Sequence, residues 1–339
     1  MPERAPQRSS RLGTRGLESG AMTMIELSHL AALLGAIALA AVGGEAFLKG
    51  VLGMAAWLRV PRLLVATTLA AFATSSPELT VSSIAALAGK PEIGLGDALG
   101  SNVVNIALIL GLALLFGPIR TRRDELGRDF GLALAVPLLT LLLAVDGVLS
   151  RLEGILLLAL FAVWMGLVIR AAAAARTPPA TADAAQQKGY LAVLYGVGGL
   201  AALIAAGRLF VTGASGIAEA FGVHPYAIGA IVVAIGTSLP ELVTVLLARL
   251  RGHDDIGVGT LIGSNLFNGL AIVGVAASIH PIQAPPAEIA IAIICGVTAV
   301  LLMVPNRAGR IPRRRGLLLL ATYAGFVLAT LAAGRGQLL

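Results

Sequence analysis

The sequence is poor in the residues from which soluble enzymes and metal centres are usually built. Its 339 residues include one cysteine and four histidines, and only 13% are charged. A single cysteine excludes a disulfide within the chain and a site made of several thiolates. Aromatic residues make up only 4% of the chain. So small a charged fraction does not suit the water-exposed surface of a soluble globular protein.

Apolar residues are what the sequence has in abundance. Hydrophobic residues account for 57% of the chain, and the mean hydropathy is +0.90. The charged residues cluster between long apolar segments, as in proteins whose helices cross a bilayer with every backbone group satisfied internally. The net charge of +7 does not indicate nucleic-acid binding, because the arginines fall in short loops between these segments. The composition predicts an all-α membrane protein.

The chain divides into two membrane halves flanked by polar segments. Residues 1–24 are polar and are predicted to be a disordered tail. Residues 25–175 and 189–339 each carry five apolar segments, and 176–188 form a linker rich in proline, alanine and polar residues. The sequence therefore predicts ten transmembrane helices, which lie at approximately 28–56, 62–88, 93–117, 127–145, 152–174, 190–221, 225–250, 256–279, 284–304 and 315–334.

One polar motif occurs in both halves. Residues 71–78 read AFATSSPE and residues 100–105 read GSNVVN, while 234–241 read AIGTSLPE and 263–268 read GSNLFN. The spacing between copies is 163 residues for Glu78 and Glu241 and for the serine and asparagine positions that follow. An ionisable residue inside an apolar segment indicates a functional site, because its charge is costly to place in a bilayer.

The repeat extends beyond the motif. Pro118 corresponds to Pro281, and the start of the fifth span at Arg151 is predicted to correspond to Arg314. Because each half contains five spans, an odd number, the second copy must enter the membrane from the opposite side. The halves are therefore predicted to be inverted repeats related by a pseudo-two-fold axis in the membrane plane.

The motif combines hydroxyls and a carboxylate with a helix-breaking proline. Thr74, Ser75 and Glu78 share one helical face, and Thr237, Ser238 and Glu241 repeat the arrangement. Pro77 has no N–H for the carbonyl of Ala73 and disfavours helical geometry at Ser76. A broken helix at this depth is tolerated where it lines a polar cavity, and its released carbonyls can act as ligands.

The following span of each half adds a hydroxyl and an amide one turn apart. These are Ser101 with Asn105, and Ser264 with Asn268. Together with the glutamates they form an oxygen-only donor set, which suits hard cations such as Ca²⁺ or Na⁺ and not Zn²⁺ or Cu²⁺. Two ionised glutamates would each cost about 3 kcal/mol in mid-bilayer, so bound cations or protons are needed to offset them.

Simpler explanations exist for each group. The glutamates could be buried carboxylates hydrogen-bonded to backbone, although this does not explain their symmetry. The asparagines could bond between helices, and the hydroxyls could bond back to carbonyls of their own helix. An intramembrane enzyme is disfavoured because the sequence contains no paired nucleophile and base and no His-x-x-x-His motif. A channel is disfavoured because inverted repeats with broken helices are typical of transporters.

The doubled motif Thr-Ser-x-Pro-Glu and Gly-Ser-Asn-x-x-Asn resembles the cation/calcium antiporter family, most closely the prokaryotic sodium/calcium exchangers. The resemblance covers the chain after residue 25. It implies Na⁺/Ca²⁺ exchange by alternating access, with H⁺/Ca²⁺ exchange as the alternative, and it implies that the first and sixth spans slide as a gate. It also implies a set of ion ligands: Glu78 and Glu241, with Thr74, Ser75, Thr237, Ser238, Ser101, Ser264 and the carbonyls of Ala71 and Ala234.

Two positions depart from the family pattern. Ala73 stands where the family usually has glycine, and Asn268 is an amide where some members carry aspartate. The resemblance implies that the transported ions Ca²⁺ and Na⁺ are the substrates and that no cofactor is needed. The lipid bilayer is the expected surrounding of the protein. Neither a nucleic acid nor an obligate protein partner is expected.

Loop charges predict the orientation. Loops after odd-numbered spans carry sixteen of the 25 lysines and arginines, and loops on the other side carry few. Basic loops favour the cytoplasmic face. We therefore expect a multi-pass inner-membrane protein with residues 176–188 in the cytoplasm and both termini outside.

Overall fold

A computed structural model describes residues 11–121, 123–174, 189–220, 232, 234–284 and 286–336. These residues are almost entirely helical. In the first half the helices are α1 (Arg11–Leu58), α2 (Arg62–Thr74), α3 (Ser76–Leu87), α4 (Pro91–Leu115), α5 (Arg123–Leu143) and α6 (Arg151–Ala174). In the second half they are α7 (Gly189–Ala220), α8 (Ala234–Thr237), α9 (Leu239–Leu250), α10 (Asp254–Ile279), α11 (Pro286–Met303) and α12 (Arg313–Gly336).

Six of these helices are long and apolar enough to cross a membrane: α1, α4, α6, α7, α10 and α12, of which α1 and α7 qualify over Leu27–Leu58 and Gly189–Glu219. Two shorter apolar helices, Arg62–Thr74 and Ile289–Met303, accompany them. The lengths and compositions agree with the membrane class predicted from the hydropathy.

The two proline motifs interrupt their helices, as predicted, but one residue earlier than expected. Ser75 has φ −86° and ψ 8°, and Ser238 has φ −84° and ψ 11°, so these residues separate α2 from α3 and α8 from α9. Ser76, expected to be non-helical, is the first residue of α3. The prolines occupy the first turn of α3 and α9, where a missing N–H leaves no hydrogen bond unmade.

Wider π-helical turns lie near these breaks. They span Ala66–Ala70 in α2, Val104–Leu110 in α4 and Phe267–Ile272 in α10. Asn105 and Asn268 lie inside the second and third of them. Such turns re-aim side chains within a helix and are frequent at functional sites.

Four short strands connect the halves. Strand β1 (Ile119–Arg120) pairs antiparallel with β4 (Arg310–Ile311), and β2 (Val148–Leu149) pairs antiparallel with β3 (Ile282–Gln283). Each pair joins a strand of the first half to a strand of the second. The halves therefore meet through equivalent, exchanged contacts.

The repeat is visible in the element bounds, with one correction. Helices α3 and α9, and strands β1 and β3, begin 163 residues apart. From β2 and β4 onward the offset is 162, so that Arg151 corresponds to Arg313 and not to the predicted Arg314. The second half is one residue shorter between its two strands.

The helices differ in burial. Helices α4 and α10 are largely buried, whereas α1, α6, α7 and α12 leave most of their apolar surface exposed. The buried core lies around α4 and α10 and includes Ile106, Ile109, Leu110, Leu261 and Ile262. Helices α1 and α7 pack along each other at one side of this core.

The N-terminal segment is more helical than the sequence predicts. Helix α1 begins at Arg11, within the segment 1–24 that was expected to be disordered, and residues 1–10 lie outside the described residues. Leucine, methionine and glutamate in 11–24 are good helix formers, and extending an existing helix needs no new nucleus. The linker 176–188 and the first part of the predicted seventh span, 225–231 and 233, also lie outside the described residues.

Candidate ion-binding site

The two repeated glutamates are buried at equivalent places in the fold. Glu78 and Glu241 are each 1% exposed and lie in the first turn of α3 and of α9. Unpaired backbone N–H groups and the helix dipole favour negative charge at such a position. Among the described residues neither glutamate forms an ion pair with lysine, arginine or histidine. Their charges are therefore stabilised only by dipoles within the described part of the chain.

Each glutamate accepts a hydrogen bond from the opposite half. The hydroxyl of Ser75 donates to Oε1 of Glu241 at 3.1 Å, and the hydroxyl of Ser238 donates to Oε1 of Glu78 at 3.5 Å. The sequence placed each serine on the helical face of its own glutamate. Each serine is itself the non-helical residue at the break, so its hydroxyl points away from that face and towards the other half.

The two glutamates differ in their remaining partners. Ser264 also donates to Oε1 of Glu241, at 3.2 Å, and its oxygen lies 3.4 Å from the hydroxyl of Thr74. Ser101 is the repeat counterpart of Ser264, yet its buried hydroxyl has no partner among the described residues. Glu241 thus accepts hydrogen bonds from two serine hydroxyls, whereas Glu78 accepts one.

The threonines bond to their own helices. Thr74 donates to the carbonyl of Ala71 at 3.3 Å, and Thr237 donates to the carbonyl of Ala234 at 3.1 Å. The same carbonyls accept the backbone N–H groups of Ser75 and Ser238. These two carbonyl oxygens are therefore engaged, and acting as ion ligands would require them to share or exchange those bonds.

One carbonyl released by proline is also engaged. The hydroxyl of Ser76 donates to the carbonyl of Ala73 at 2.7 Å. The counterpart of Ser76 is Leu239, so Gly236 has no such hydroxyl beside its carbonyl. This difference follows from the sequence of the two motifs.

Three buried asparagines form hydrogen bonds between the two halves. Asn102 donates to the backbone carbonyl of Asn265 at 3.3 Å, and Asn265 donates to that of Asn102 at 3.2 Å. Asn105 donates to Oδ1 of Asn265 at 3.1 Å. This reciprocal pair joins two residues 163 apart, one from each half, where α4 and α10 meet.

Several buried oxygens have no hydrogen-bond partner among the described residues. They are Oε2 of Glu78, Oε2 of Glu241, the hydroxyl of Ser101, and Oδ1 of Asn102, Asn105 and Asn268. Buried polar atoms in native proteins are nearly always satisfied. Carboxylate, amide and hydroxyl oxygens in this number are the donor set that Ca²⁺ and Na⁺ prefer. The chemistry predicted for this motif therefore fits the groups that the fold brings together.

The predicted site residues are not equally enclosed. Ten of them are buried: Ala71, Thr74, Ser75, Glu78, Ser101, Asn105, Ser238, Glu241, Ser264 and Asn268. Ala234 and Thr237 are half-buried, whereas their counterparts Ala71 and Thr74 are buried. Among the described residues, the site is thus less enclosed on the side of α8 than on the side of α2.

Sequence reasoning missed three polar residues near the site. Asn102 and Asn265 stand inside the repeated Gly-Ser-Asn motif, and their identical spacing was the signal that could have identified them. Asp97 has no acidic counterpart in the second half, where Thr260 occupies the equivalent place. Repeat symmetry therefore gave no reason to consider it.

Comparisons with known proteins show the family of this chain. The family described as sodium/calcium exchanger protein matches residues 28–170 and again residues 191–332. The putative antiporter CaxA of Alkalimonas amylolytica is 36% identical over 299 residues, which are 83% of this chain and 92% of that protein. The inner membrane protein YrbG of Escherichia coli K12 is 36% identical over 235 residues, which are 67% of this chain and 72% of that protein.

A solved structure is also similar. A structure of the sodium-calcium exchanger NCX_Mj superposes with a TM-score of 0.77 and 27% sequence identity, covering 88% of this chain and 97% of that chain. Members of the matching family are membrane transporters that carry ions as cargo and need no cofactor. On its family match, its relatives and its fold, this chain belongs to the sodium/calcium exchanger protein family and is a membrane transporter, not an enzyme.

Proposed function

We propose that this cation antiporter exchanges Na⁺ for Ca²⁺ by alternating access, at a site between Glu78 and Glu241. The observation that carries the proposal is the pair of fully buried glutamates, one from each half, each with one carboxylate oxygen that has no partner among the described residues. Two negative charges match one Ca²⁺ or two Na⁺. Either load would offset the cost of burying both carboxylates.

The ligand set proposed for these ions comprises the residues of the two motifs. Glu78 and Glu241 supply the charge, and the uncharged oxygens come from Thr74, Ser75, Thr237, Ser238, Ser101, Ser264, Asn105 and Asn268 and from the carbonyls of Ala71 and Ala234. A site in which two carboxylates are compensated only by cargo favours exchange, since crossing with empty ligands would carry two bare charges through the bilayer.

The architecture proposed is ten transmembrane helices in two inverted repeats, residues 25–175 and 189–339, joined by the cytoplasmic linker 176–188. The matching element bounds and the exchanged strand pairs support this relation. The family match also begins 163 residues apart in the two halves. Helices α1 and α7, which pack together beside the core, are proposed as the sliding gate.

The decisive experiment measures ⁴⁵Ca²⁺ uptake into proteoliposomes loaded with Na⁺ and diluted into Na⁺-free buffer at constant pH. The wild-type protein should take up Ca²⁺ only when a Na⁺ gradient is imposed. Glu78→Gln and Glu241→Gln should each abolish this uptake, because an amide has the same shape but supplies no charge. Glu92→Gln, the same change at an exposed glutamate of α4, should transport normally.

Two results would contradict the proposal in different ways. Substantial Na⁺-driven uptake by Glu78→Gln or Glu241→Gln would show that the ions bind elsewhere. Wild-type uptake that follows a pH gradient and ignores Na⁺ would establish H⁺/Ca²⁺ exchange instead. Size-exclusion profiles like that of the wild type should show that both variants remain folded.

A further inference from the structure

Two strongly basic segments meet at one end of the molecule. Residues 119–128 and 305–316, here called the basic cluster, contain nine arginines and two acidic residues, Asp124 and Glu125. Strand β1 belongs to the first segment and β4 to the second, and these strands pair antiparallel. The pairing therefore joins the segments that carry nine of the sixteen basic residues on the basic side of the predicted topology.

The strand pair places two arginines directly opposite each other. Arg120 of β1 lies across from Arg310 of β4, and both are exposed, whereas Ile119 and Ile311 beside them are buried. Like charges at directly opposite positions of an antiparallel pair destabilise it. Among the described residues, neither guanidinium group forms an ion pair or a hydrogen bond. Two positive charges thus stand side by side on the exposed face of this strand pair.

The start of α12 adds further positive charge to the cluster. Its first turn contains Arg313, Arg314 and Arg315 and no acidic residue. The dipole of a helix favours negative charge at its N-terminus, so arginines there are unfavourable unless an anion lies nearby. Arg315 donates to the carbonyl of Leu302 at 3.2 Å. Arg313 and Arg314 are exposed, and their side chains have no partner in the described part of the chain.

The neighbouring turn between α9 and α10 pairs its arginines. Arg249 lies 2.9 Å from Asp254, and Arg251 lies 2.9 Å from Glu45. Asp254 also accepts a hydrogen bond from the backbone N–H of Arg120 at 3.2 Å, so the carboxylate beside β1 is already paired with Arg249. A topology signal requires only that basic residues occupy a loop. Unpaired arginines held side by side are a separate property of the basic cluster.

Exposed apolar side chains lie beside the cluster, at the ends of two helices of membrane length. The end of α4 and the start of α12 touch, since a Cβ atom on Gly316 would lie 2.9 Å from the carbonyl oxygen of Gly111. Phe116 follows α4, and Leu317 and Leu318 lie in α12; each is more than half exposed. Apolar surface directly beside unpaired arginines matches a molecule that has acyl chains and an anionic headgroup.

We propose that the basic cluster is a docking surface for an anionic phospholipid of the surrounding bilayer, whose phosphate lies between Arg120 and Arg310. Guanidinium groups bind phosphate oxygens through parallel N–H bonds. Basic residues grouped between helices at the membrane surface attract anionic headgroups. A phosphate at this position would also lessen the repulsion between the two arginines. The inference holds whichever ions the protein exchanges.

The test measures thermal unfolding of the purified full-length protein in detergent while phospholipid is added. Phosphatidylglycerol should raise the unfolding temperature of the wild type, because a ligand that binds only the folded state stabilises it. Phosphatidylcholine with the same acyl chains should raise it less. Arg120→Gln combined with Arg310→Gln should increase the phosphatidylglycerol concentration at half-maximal stabilisation by about thirtyfold, equivalent to about 2 kcal/mol for two arginines.

Two further double variants control for charge and for structure. Arg59→Gln combined with Arg170→Gln removes the same charge from exposed arginines outside the cluster, on the same side of the predicted topology, and should respond as the wild type does. Arg120→Lys combined with Arg310→Lys keeps both charges and should retain most of the preference for phosphatidylglycerol.

A count of bound lipid gives a second measurement that does not depend on the stability of the variant. After equilibration with equal amounts of the two lipids, native mass spectrometry should show phosphatidylglycerol retained on the wild type. The variant with glutamine at both positions should retain one molecule fewer. Inorganic phosphate, at the concentration at which phosphatidylglycerol acts, should not stabilise the wild type.

Four results would overturn the inference. The first is equal stabilisation of the wild type by the two lipids, and the second is an unchanged phosphatidylglycerol response after both arginines of the strand pair are replaced. An equal loss of response in the control variant would show attraction to net charge alone. Stabilisation by inorganic phosphate as strong as that by phosphatidylglycerol would assign the cluster to a free anion instead of a lipid.

Discussion

At the scale of single residues, each glutamate depends on a hydroxyl from the opposite half of the chain. Ser75 reaches Glu241, and Ser238 reaches Glu78. Hydrogen bonds to charged groups contribute about 1.5–3 kcal/mol each, more than bonds between neutral groups. The site therefore forms only when the two halves meet. Neither half alone supplies both a carboxylate and the serine that bonds to it.

The central amides give a prediction about stability. Asn265 makes two side-chain hydrogen bonds, one with Asn102 and one with Asn105, whereas the side chain of Asn102 donates one. Interhelical hydrogen bonds in membrane proteins contribute about 0.6 kcal/mol on average and up to about 1.7 kcal/mol. Asn265→Ala should therefore lower the free energy of unfolding more than Asn102→Ala does.

The measurement is thermal unfolding of the purified protein in detergent, with the two variants serving as controls for each other. Asn265→Ala should also weaken Ca²⁺ binding, because Asn105 loses the acceptor that orients its amide. Equal unfolding temperatures for the two variants, or a lower one for Asn102→Ala, would contradict the hydrogen-bond assignment.

At the scale of elements, close contact between α1 and α7 depends on glycine. A Cβ atom on Gly199 would lie 2.7 Å from the carbonyl oxygen of Gly43, and one on Gly43 would lie 3.0 Å from the carbonyl oxygen of Gly199. Glycines on facing helices allow such backbone approach, which supplies packing energy where no hydrophobic effect operates between helices. The backbones of α1 and α7 therefore lie in close contact at these glycines.

Replacing one of these glycines should separate the helices. Gly199→Ala places a methyl group against the backbone of α1, and overpacking of this kind typically costs about 1–3 kcal/mol. Gly198→Ala is the matched control, because no described atom lies within 4 Å of a Cβ at that position. Gly198→Ala should leave stability unchanged or raise it slightly, since alanine favours helix over glycine.

Thermal unfolding in detergent again provides the readout, and flux in proteoliposomes shows whether the proposed gate still moves. Gly199→Ala should unfold at a lower temperature than both the wild type and Gly198→Ala. Equal stability of the two variants would show that the contact between α1 and α7 tolerates a wider separation.

At the scale of the whole molecule, loop charge and the proposed pseudo-symmetry together predict an orientation. Basic residues concentrate in the loops that follow odd-numbered predicted spans. The strand pairs β1–β4 and β2–β3 lie in connections that follow the third, fourth, eighth and ninth predicted spans. With the basic loops in the cytoplasm, β1–β4 would lie on the cytoplasmic side and β2–β3 outside.

Cysteine labelling tests this orientation, because Cys295 is the only cysteine to remove. In a Cys295→Ser background, Val145→Cys places a thiol in an exposed loop predicted to be external, and Ala308→Cys places one in an exposed loop predicted to be cytoplasmic. A membrane-impermeant maleimide should label intact cells of the first variant only. Permeabilised cells should label in both, and the reverse pattern in intact cells would invert the assigned topology.

Much of this protein was determined by local patterns in its sequence. Long apolar runs specify helices because a bilayer leaves the backbone no other partner. The doubled motif and its 163-residue spacing revealed the repeat, and the residue types alone indicated an oxygen-only cation site. Proline beside each glutamate predicted the helix breaks, which need only a missing N–H and a steric clash.

Contacts between distant segments were decided by the tertiary structure. The exchange of serines between halves and the Asn102–Asn265 pair both depend on how segments about 160 residues apart pack together. No local pattern encodes such packing.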